Sequence, residues 1–428
     1  MQKISTLLIA LLVTKLSVAQ LYFPPITGNT WDTIAPSSLG WCADKLDSVI
    51  QFAGDKNTKA LIVLKDGKRA VEKYYGTFKQ DSVWFWASAG KSLTSLLVGI
   101  AQEQGFLNIQ NPVSDYLGQG WTSCTPQQEA NIKVVHQLSM TTGLNYNVPD
   151  LDCTDDTCLK FHADAGNEWY YYNAPYHLVH DVITAASGQG ITAFTNSKLA
   201  SKIGMQGLWY DHVYYSKARS AARFGLLMLN NAVWDTDTLL HDQQYLNDSR
   251  NTSQPYNKSY GYLWWLAGKD SIMAPGIPYA LPTTLCSNCP NDMYAALGKY
   301  DQKIYIVPSM NIVVVRFGNA AGTTALGPSS FDNEFWGKLN EVFCATNQLS
   351  SNGSEININL YPNPCTDNLQ INIPAELLGE TIRIYSTIGE LLWETQVKNT
   401  AFSVSTQTLS PGFYYLNIGQ HSARFSKQ

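Results

Sequence analysis

The sequence predicts a mixed α/β (α+β) fold: an antiparallel sheet flanked by helices and carrying a helical insert, followed by a small C-terminal β-sandwich. Three observations predict it. Apolar runs of strand length sit at both ends of the first 345 residues, after Ala60 and again over Lys303–Val307 and Ile312–Arg316. Continuous runs of this kind suit central strands covered on both faces. Between them, apolar residues recur at helical spacing. Beyond a polar stretch at 346–358 the pattern changes to strict alternation, as in Leu369, Ile371 and Ile373, broken by turns at Gly379, Gly389 and Pro411-Gly412. Short alternating strands at that spacing indicate a sandwich.

Taken in order, residues 1–19 read as an export signal. Lys3 supplies the charge, Leu7 to Val13 an apolar run too short to span a bilayer, and Ser17-Val18-Ala19 a cleavage site before Gln20. No other stretch is apolar and long enough to cross a membrane. A first, large domain is then expected over 20–345, a linker over 346–358 and a separate module over 359–428. Trp41 to Gly54 reads as an amphipathic helix. Ala60 to Tyr75 reads as a hairpin around Asp66-Gly67, a strong two-residue turn signal. A helix runs from Ser88 to near Gly105, with its stripe at Leu93, Leu96, Leu97, Ile100 and Ala101. The middle of the chain, to about Trp265, is mostly helical and rich in loops. A second hairpin turns over Pro308–Asn311, and Ser329 to Phe343 closes the domain as a helix. Antiparallel first and last helices on one sheet face would bring Cys42 to Cys344. Cys153–Cys158 and Cys286–Cys289 would close local loops, which export permits.

Composition narrows the function. Charged residues make up 15% of the 428, well under the usual quarter, and the net charge of -5 is spread without a block. No basic face invites nucleic acid or an anionic membrane. Cys286-x-x-Cys289 has no second pair at matching spacing, and His177-x-x-His180 lies on an apolar helical pattern. No metal or cofactor is therefore expected.

The chemistry concentrates at "FWASAGKSL", residues 85–93. Residues i and i+3 on a helix face the same way, so Ser88 and Lys91 sit side by side at a helix start. A serine hydroxyl becomes a nucleophile only with a base in reach. A lysine is that base only if desolvation and nearby positive dipoles lower its pKa. Trp84, Phe85 and Trp86 are expected to form the apolar wall. Free N–H groups at the helix start can hold an oxyanion. About one Ser-x-x-Lys is expected by chance in such a chain, and this is the only one. Its place between an aromatic run and an apolar helix gives it weight. A second cluster, Tyr171-x-Asn173, precedes another helix, whose stripe is Val179, Val182, Ile183 and Ala186.

With these blocks in view, the chain from about Trp41 to Cys344 resembles the serine β-lactamase-like hydrolases. That group includes class C β-lactamases, penicillin-recognising peptidases, and esterases and amide hydrolases such as the 6-aminohexanoate-dimer hydrolase branch. The resemblance rests on "WASAGKSL", "NIKVVHQLSMTTGL", "EWYYYN", "SAARFGLLMLNNAVWD" and "SYGYLWWL", in that order. It implies that Ser88 forms an acyl-enzyme and that Lys91 takes its proton. Tyr171 would relay a proton to the leaving group, and Asn173 would orient Lys91 and the substrate. It also implies an oxyanion hole from the N–H of Ser88 and of a residue on a later strand. On that strand penicillin-recognising members carry a Lys-Thr-Gly-type motif. Here the aligned residues are Ala296-Leu297-Gly298. Gly298 takes the glycine's place, and the second N–H would belong to Lys299. The missing cation normally binds a β-lactam carboxylate, a contact of about 1.5–3 kcal/mol, so poor β-lactam hydrolysis is expected. Trp84, Trp86, Tyr170, Tyr172, Trp264 and Trp265 could shape an apolar substrate pocket, although most such aromatics end up in the core.

The last module carries "LYPNPCTDNLQINI", "IRIYSTIGELL" and "LSPGFYYLNI". It resembles the C-terminal sorting domain of the type IX secretion system. That implies passage across an outer membrane with that machinery as partner, to the medium or the cell surface. Together these expectations describe a secreted serine hydrolase of esters or amides. A penicillin-binding or sensor-like protein, and a β-lactamase or D,D-peptidase, stand as alternatives.

Overall fold

The computed structural model describes residues 21–322, 327–344, 358–386, 390–419 and 421–428. The expected export signal, and all but the last residue of the expected linker, lie outside them. The chain divides into two compact units, one ending at Cys344 and one beginning at residue 345.

The first unit is built on a six-stranded antiparallel sheet. Helix α1 (Ala43–Asp55) leads into the hairpin β1 (Thr58–Lys65) and β2 (Lys68–Tyr74). Asp66 and Gly67 both take positive φ, 51° and 81°, as the expected two-residue turn demands. Strand β3 (Val83–Phe85) precedes helix α2 (Gly90–Glu103), and helix α3 (Asn173–Ser187) follows a long loop region. Strands β4 (Gly207–Tyr210) and β5 (Val213–Lys217) lead into helix α4 (Ala218–Leu229). The rest of the large sheet comes late: β6 (Trp265–Leu266), β7 (Tyr294–Gly298), β8 (Gln302–Val307) and β9 (Ile312–Gly318), before helix α5 (Ser330–Val342). The order across the sheet is β2-β1-β9-β8-β7-β6, so the two ends of the unit meet at its centre.

Alternation along the strands assigns the helices to faces. Ile304 pairs with Val315, and both share a face with Val313. Gly225 of α4 packs so tightly on Ile304 and Val313 that a Cβ there would come within 2.5 Å of Val313. Tyr305 points the other way and meets Phe335 and Trp336 of α5. Helix α1 lies along α5: Phe52 stacks on Phe331, and Lys45 pairs with Glu341 at 2.8 Å. The Cys42–Cys344 disulfide closes their ends as expected, and Cys153–Cys158 and Cys286–Cys289 also form. Cys124 and Cys365 are free.

The middle of the chain departs from the expectation in one respect. It is mainly helix and loop, but β3, β5 and β4 form a small antiparallel sheet in that order. The β4–β5 turn is Asp211-His212, both at positive φ without a glycine, so the usual hairpin signal is absent. Among the described residues no helix is long and apolar enough to cross a membrane.

The second unit holds the expected short strands plus edges the sequence pattern hid. Strands β10 (Asn359–Tyr361), β11 (Asn368–Asn372) and β14 (Ala401–Ser405) form one sheet. Strands β13 (Leu391–Gln396), β12 (Thr381–Ser386), β15 (Gly412–Ile418) and β16 (His421–Lys427) form the other. Leu369, Ile371 and Val404 face Ile382, Ile384, Leu416 and Ile418 in its core.

Candidate active site

Ser88 sits on the 3-10 turn Ala87–Ala89 between β3 and α2. Ala87 is held at φ 47°, a left-handed conformation costing an alanine about 1–3 kcal/mol. The surroundings over-determine it. The Trp86 backbone N–H donates to Tyr214 O at 2.8 Å, and its Nε1 donates to Ser216 Oγ at 2.8 Å. From the other side β7 presses in: a Cβ on Gly298 would lie 2.3 Å from Trp86 O and 3.0 Å from Ala89 N. Only glycine lets that strand end approach the serine turn so closely.

One helical turn later Lys91 reaches back, its Nζ 3.2 Å from Ser88 Oγ. Its side chain is 4% exposed. The amine rests over the rings of Tyr176 and Tyr171, 4.1 and 5.2 Å from their centroids. Burial dominates its titration, pushing the pKa down from 10.5 to about 7 against the weaker pull of the Asp152 carboxylate. The Tyr171 phenol is buried and pushed up by that burial, with Ser88 beside it opposing the shift. Its ring stacks on Trp265 at 5.8 Å. Thus Ser88, Lys91 and Tyr171 come together as the sequence suggested.

The wall around the amine differs from the expectation. Trp86 is buried beneath the turn against Tyr214, Phe224 and Phe317, and Trp84 packs on Phe78. Tyr171 and Tyr176 desolvate Lys91 instead. Of the six aromatics considered for the pocket, Trp265 lines it; Trp264 is core, and Tyr170 stacks on Tyr146. Asn173 also differs from its expected contact. Its Nδ2 donates to Asp152 Oδ1 at 2.8 Å, and its buried Oδ1 meets no hydrogen-bond partner among the described residues. Lys299, just past Gly298, is exposed and borders the cavity.

Ser88 opens on two adjoining cavities. One of ≈ 330 Å³ includes Leu151, Tyr171, Trp265, Pro275 and Pro328 in its wall. The other, of ≈ 370 Å³, includes Lys91, Thr154, Tyr176, His177, Asp211 and His212. The His177 and His212 rings stack face to face at 4.2 Å. Burial, with Lys91 next, holds His177 far below its usual titration range. His180 is core, its Nε2 3.0 Å from Thr94 Oγ1. No cluster of histidine, cysteine and carboxylate side chains among the described residues could hold a metal ion.

A buried ionic cluster under β8 fixes the walls. Lys303, with no exposed surface, meets Asp301 at 3.1 Å and Asp332 at 2.8 Å and donates to Gly327 O. Asp301 accepts from Ala321 N, Gly322 N and Ser329 Oγ. Arg316 and Gln302 cap the carbonyl of Tyr300, which stands with Asp301 at φ 61° directly after Lys299. The cluster thereby ties the Lys299 turn to the Gly327–Pro328 rim.

Sequence reasoning missed Tyr176, Asp152, His177 and His212. Tyr176 stands three residues after Asn173, so helical spacing could have found it. Asp152 adjoins Cys153 in a disulfide-closed loop, and only the tertiary fold brings that loop over Ser88.

The model described as Beta-lactamase matches residues 49–334, well over half the chain. The chain therefore belongs to the beta-lactamase family, and its mixed helix-and-sheet architecture is that of a serine-hydrolase-type enzyme. A second model, described as a secretion system C-terminal sorting domain, matches residues 359–428. That module marks the chain for type IX secretion, to the cell surface or beyond it. Among solved structures, a candidate beta-lactamase from Bacteroides dorei superposes with a TM-score of 0.55 at 16% identity, covering 71% of this chain and 99% of its own. A candidate 6-aminohexanoate-dimer hydrolase from Bacillus anthracis gives 0.55 at 17%, covering 78% and 90%. A penicillin-binding protein homologue from Caulobacter crescentus gives 0.53 at 11%, covering 70% and 97%. These likenesses show the fold. No curated protein matches the sequence.

Proposed function

We propose that the chain is a secreted serine hydrolase cleaving ester or amide bonds through an acyl-enzyme on Ser88. The observation that carries this is the buried Lys91 amine, 3.2 Å from Ser88 Oγ and with its pKa brought down to about 7. A lysine so placed is half unprotonated at neutral pH and takes the serine proton as Oγ attacks. The backbone N–H groups of Ser88 and Lys299 hold the oxyanion, the second admitted by the close approach at Gly298. Tyr171, beside Ser88, carries protons between the serine, the lysine and the departing group. An N-terminal signal over 1–19 and the sorting module over 359–428 take the enzyme out of the cell.

Ser88→Ala is the test. Cleavage of a chromogenic ester should vanish while the melting temperature stays within a few degrees. Full activity in that variant would end the proposal. One observation favours a second reading, a ligand-binding sensor: Ala296 and Leu297 are buried and apolar where penicillin-recognising relatives present a cation. A stoichiometric burst without steady-state turnover would select it, and rapid hydrolysis of a chromogenic cephalosporin would select a β-lactamase.

A further inference from the structure

The small sheet β3-β5-β4 beside Ser88 has one buried face and one bare face. Inward, Trp209, Tyr214 and Ser216 are buried. Alternation turns Phe85, Tyr215 and Leu208, which lie opposite one another across the three strands, to the outside. Val83 and Tyr210 share that face and are 55% and 70% exposed. The Tyr210 ring meets Tyr215 edge-on at 6.4 Å. On the other side of the sheet Phe85 meets Tyr300 edge-on, also at 6.4 Å. The result is one strip of rings and aliphatic side chains. A solvent-facing side of an antiparallel sheet is ordinarily polar. Among the described residues the first unit leaves seven large hydrophobic side chains exposed, and Val83, Leu208, Tyr210 and Tyr300 are four of them. A fifth, Tyr279, stands on the loop whose Pro275 and Gly276 border the Trp265 cavity. Single exposed apolar residues need no explanation, but a cluster beside a catalytic cavity marks a binding surface.

The strip runs into the cavity at Ser88. Val213 pairs with Tyr210 and lines that cavity, as does Ala87, two residues past Phe85. Neither has a polar side-chain atom, so an apolar path joins Ser88 to the strip, although the same cavity also holds Asp152, Thr154 and His177. Size and chemistry narrow what lies there. Three strands of about four residues make a face of roughly 200 Å², against the ~800 Å² that each partner of a stable protein pair gives up. A sugar needs hydrogen-bonding groups beside the rings, because its hydroxyls are costly to bury unmet. Apart from the tyrosine hydroxyls the strip offers Lys217, and its amine is already paired with Asp81 at 2.8 Å. The face therefore carries no free charge to attract an ionic ligand.

We propose that this strip binds a long aliphatic chain of the substrate. The chain is joined to the ester or amide whose carbonyl sits at Ser88. It leaves the cavity over Ala87 and Val213 and lies across Phe85, Tyr215, Leu208 and Tyr210, with the Tyr300 ring at its side. Arg316 and Gln302 hold the Tyr300 carbonyl, so this end of the strip is fixed by the buried cluster under β8. The inference rests on the Ser88 acyl-enzyme reading and gives it a substrate class: long-chain esters or amides, with the chain on either side of the scissile carbonyl. Each methylene laid on the strip leaves water and strengthens capture until the strip is full. A dissolved molecule and a lipid aggregate both supply such a chain.

The test measures kcat/KM for two series held below their micelle concentrations. One is nitrophenyl butanoate, octanoate and dodecanoate; the other is butyl, octyl and dodecyl acetate, followed by acid release. The chain from Gln20 onward is compared with its Leu208→Ser/Tyr210→Ser double variant and with Ser88→Ala. At least one series should rise by roughly tenfold or more between its eight-carbon and twelve-carbon members. The double variant should hold that ratio to roughly threefold or less. Because the ratio is taken within each protein, a change in folded fraction cancels. Repetition above the micelle concentration separates the sources. A further jump in rate that the variant loses shows a chain drawn from an aggregate, and no jump shows one bound from solution; both uphold the strip. Two flat series in a protein that cleaves the butanoate overturn the inference and leave Ser88 acylation standing. A rise that survives in the double variant also overturns it. So does a dimer in size-exclusion chromatography, or retention on an insoluble neutral glycan, that the double variant abolishes, since the strip then belongs to a second copy or to a sugar. Cleavage of no ester, or cleavage that survives in Ser88→Ala, overturns the serine reading itself.

Discussion

Replacing Lys91 with methionine separates the chemistry of the amine from its effect on stability. Methionine keeps a flexible apolar chain between the Tyr171 and Tyr176 rings and removes the charge. Burial lowers the lysine from 10.5 to about 7. At about 1.4 kcal/mol per pH unit, that gap means the fold disfavours the ammonium by on the order of 5 kcal/mol. The sign follows from proton binding. Below about 7 the folded and unfolded chains both hold the proton, and the whole penalty is present. Between about 7 and 10.5 only the unfolded chain holds it, so stability rises by up to ~1.4 kcal/mol per pH unit; above 10.5 the penalty is gone. Methionine never carries it. Paired urea unfolding of the two proteins across this range cancels in the difference every titrating group that does not feel the Lys91 charge. Lys91→Met should be the more stable by ~2–5 kcal/mol on the acid side of the window, the advantage fading on the alkaline side, with activity lost throughout. Identical pH slopes, or a variant less stable in acid, would refute the reasoning.

Two further substitutions probe the scaffold of the site. Gly298→Ala puts a methyl 2.3 Å from Trp86 O, so β7 and the serine turn must separate. We expect ~1–3 kcal/mol of destabilisation by thermal unfolding and a more than tenfold loss of kcat/KM, and unchanged kinetics would show that the approach is not needed. Lys303→Met leaves Asp301 and Asp332 facing each other without their shared cation. A loss of ~3–5 kcal/mol in denaturant unfolding is expected, and a neutral result would mean that the carboxylates protonate or relax without cost.

Where the sequence was legible, the signal was local. Asp66-Gly67 announced its hairpin because the turn geometry needs residues tolerant of positive φ. Ser88 and Lys91 were legible because i and i+3 share a helix face. The Cys42–Cys344 pair followed from two antiparallel helices on one sheet face. Where it was not legible, the cause was distance along the chain. Tyr171 and Tyr176 cover Lys91 from eighty or more residues away, whereas the neighbouring Trp84 and Trp86 turn into the core instead. The β4–β5 hairpin hid behind a turn of aspartate and histidine. Asn173 lay in the right place, but its partner Asp152 belongs to a loop that only the fold brings over Ser88.

The most direct measurement is the rate of Ser88 acylation against pH, followed as the pre-steady-state burst with an activated ester. If the buried amine at position 91 is the base, the rate rises with a single ionisation near 7 and then levels off. A rate that stays flat, or that climbs only toward the ordinary lysine value of 10.5, would contradict it.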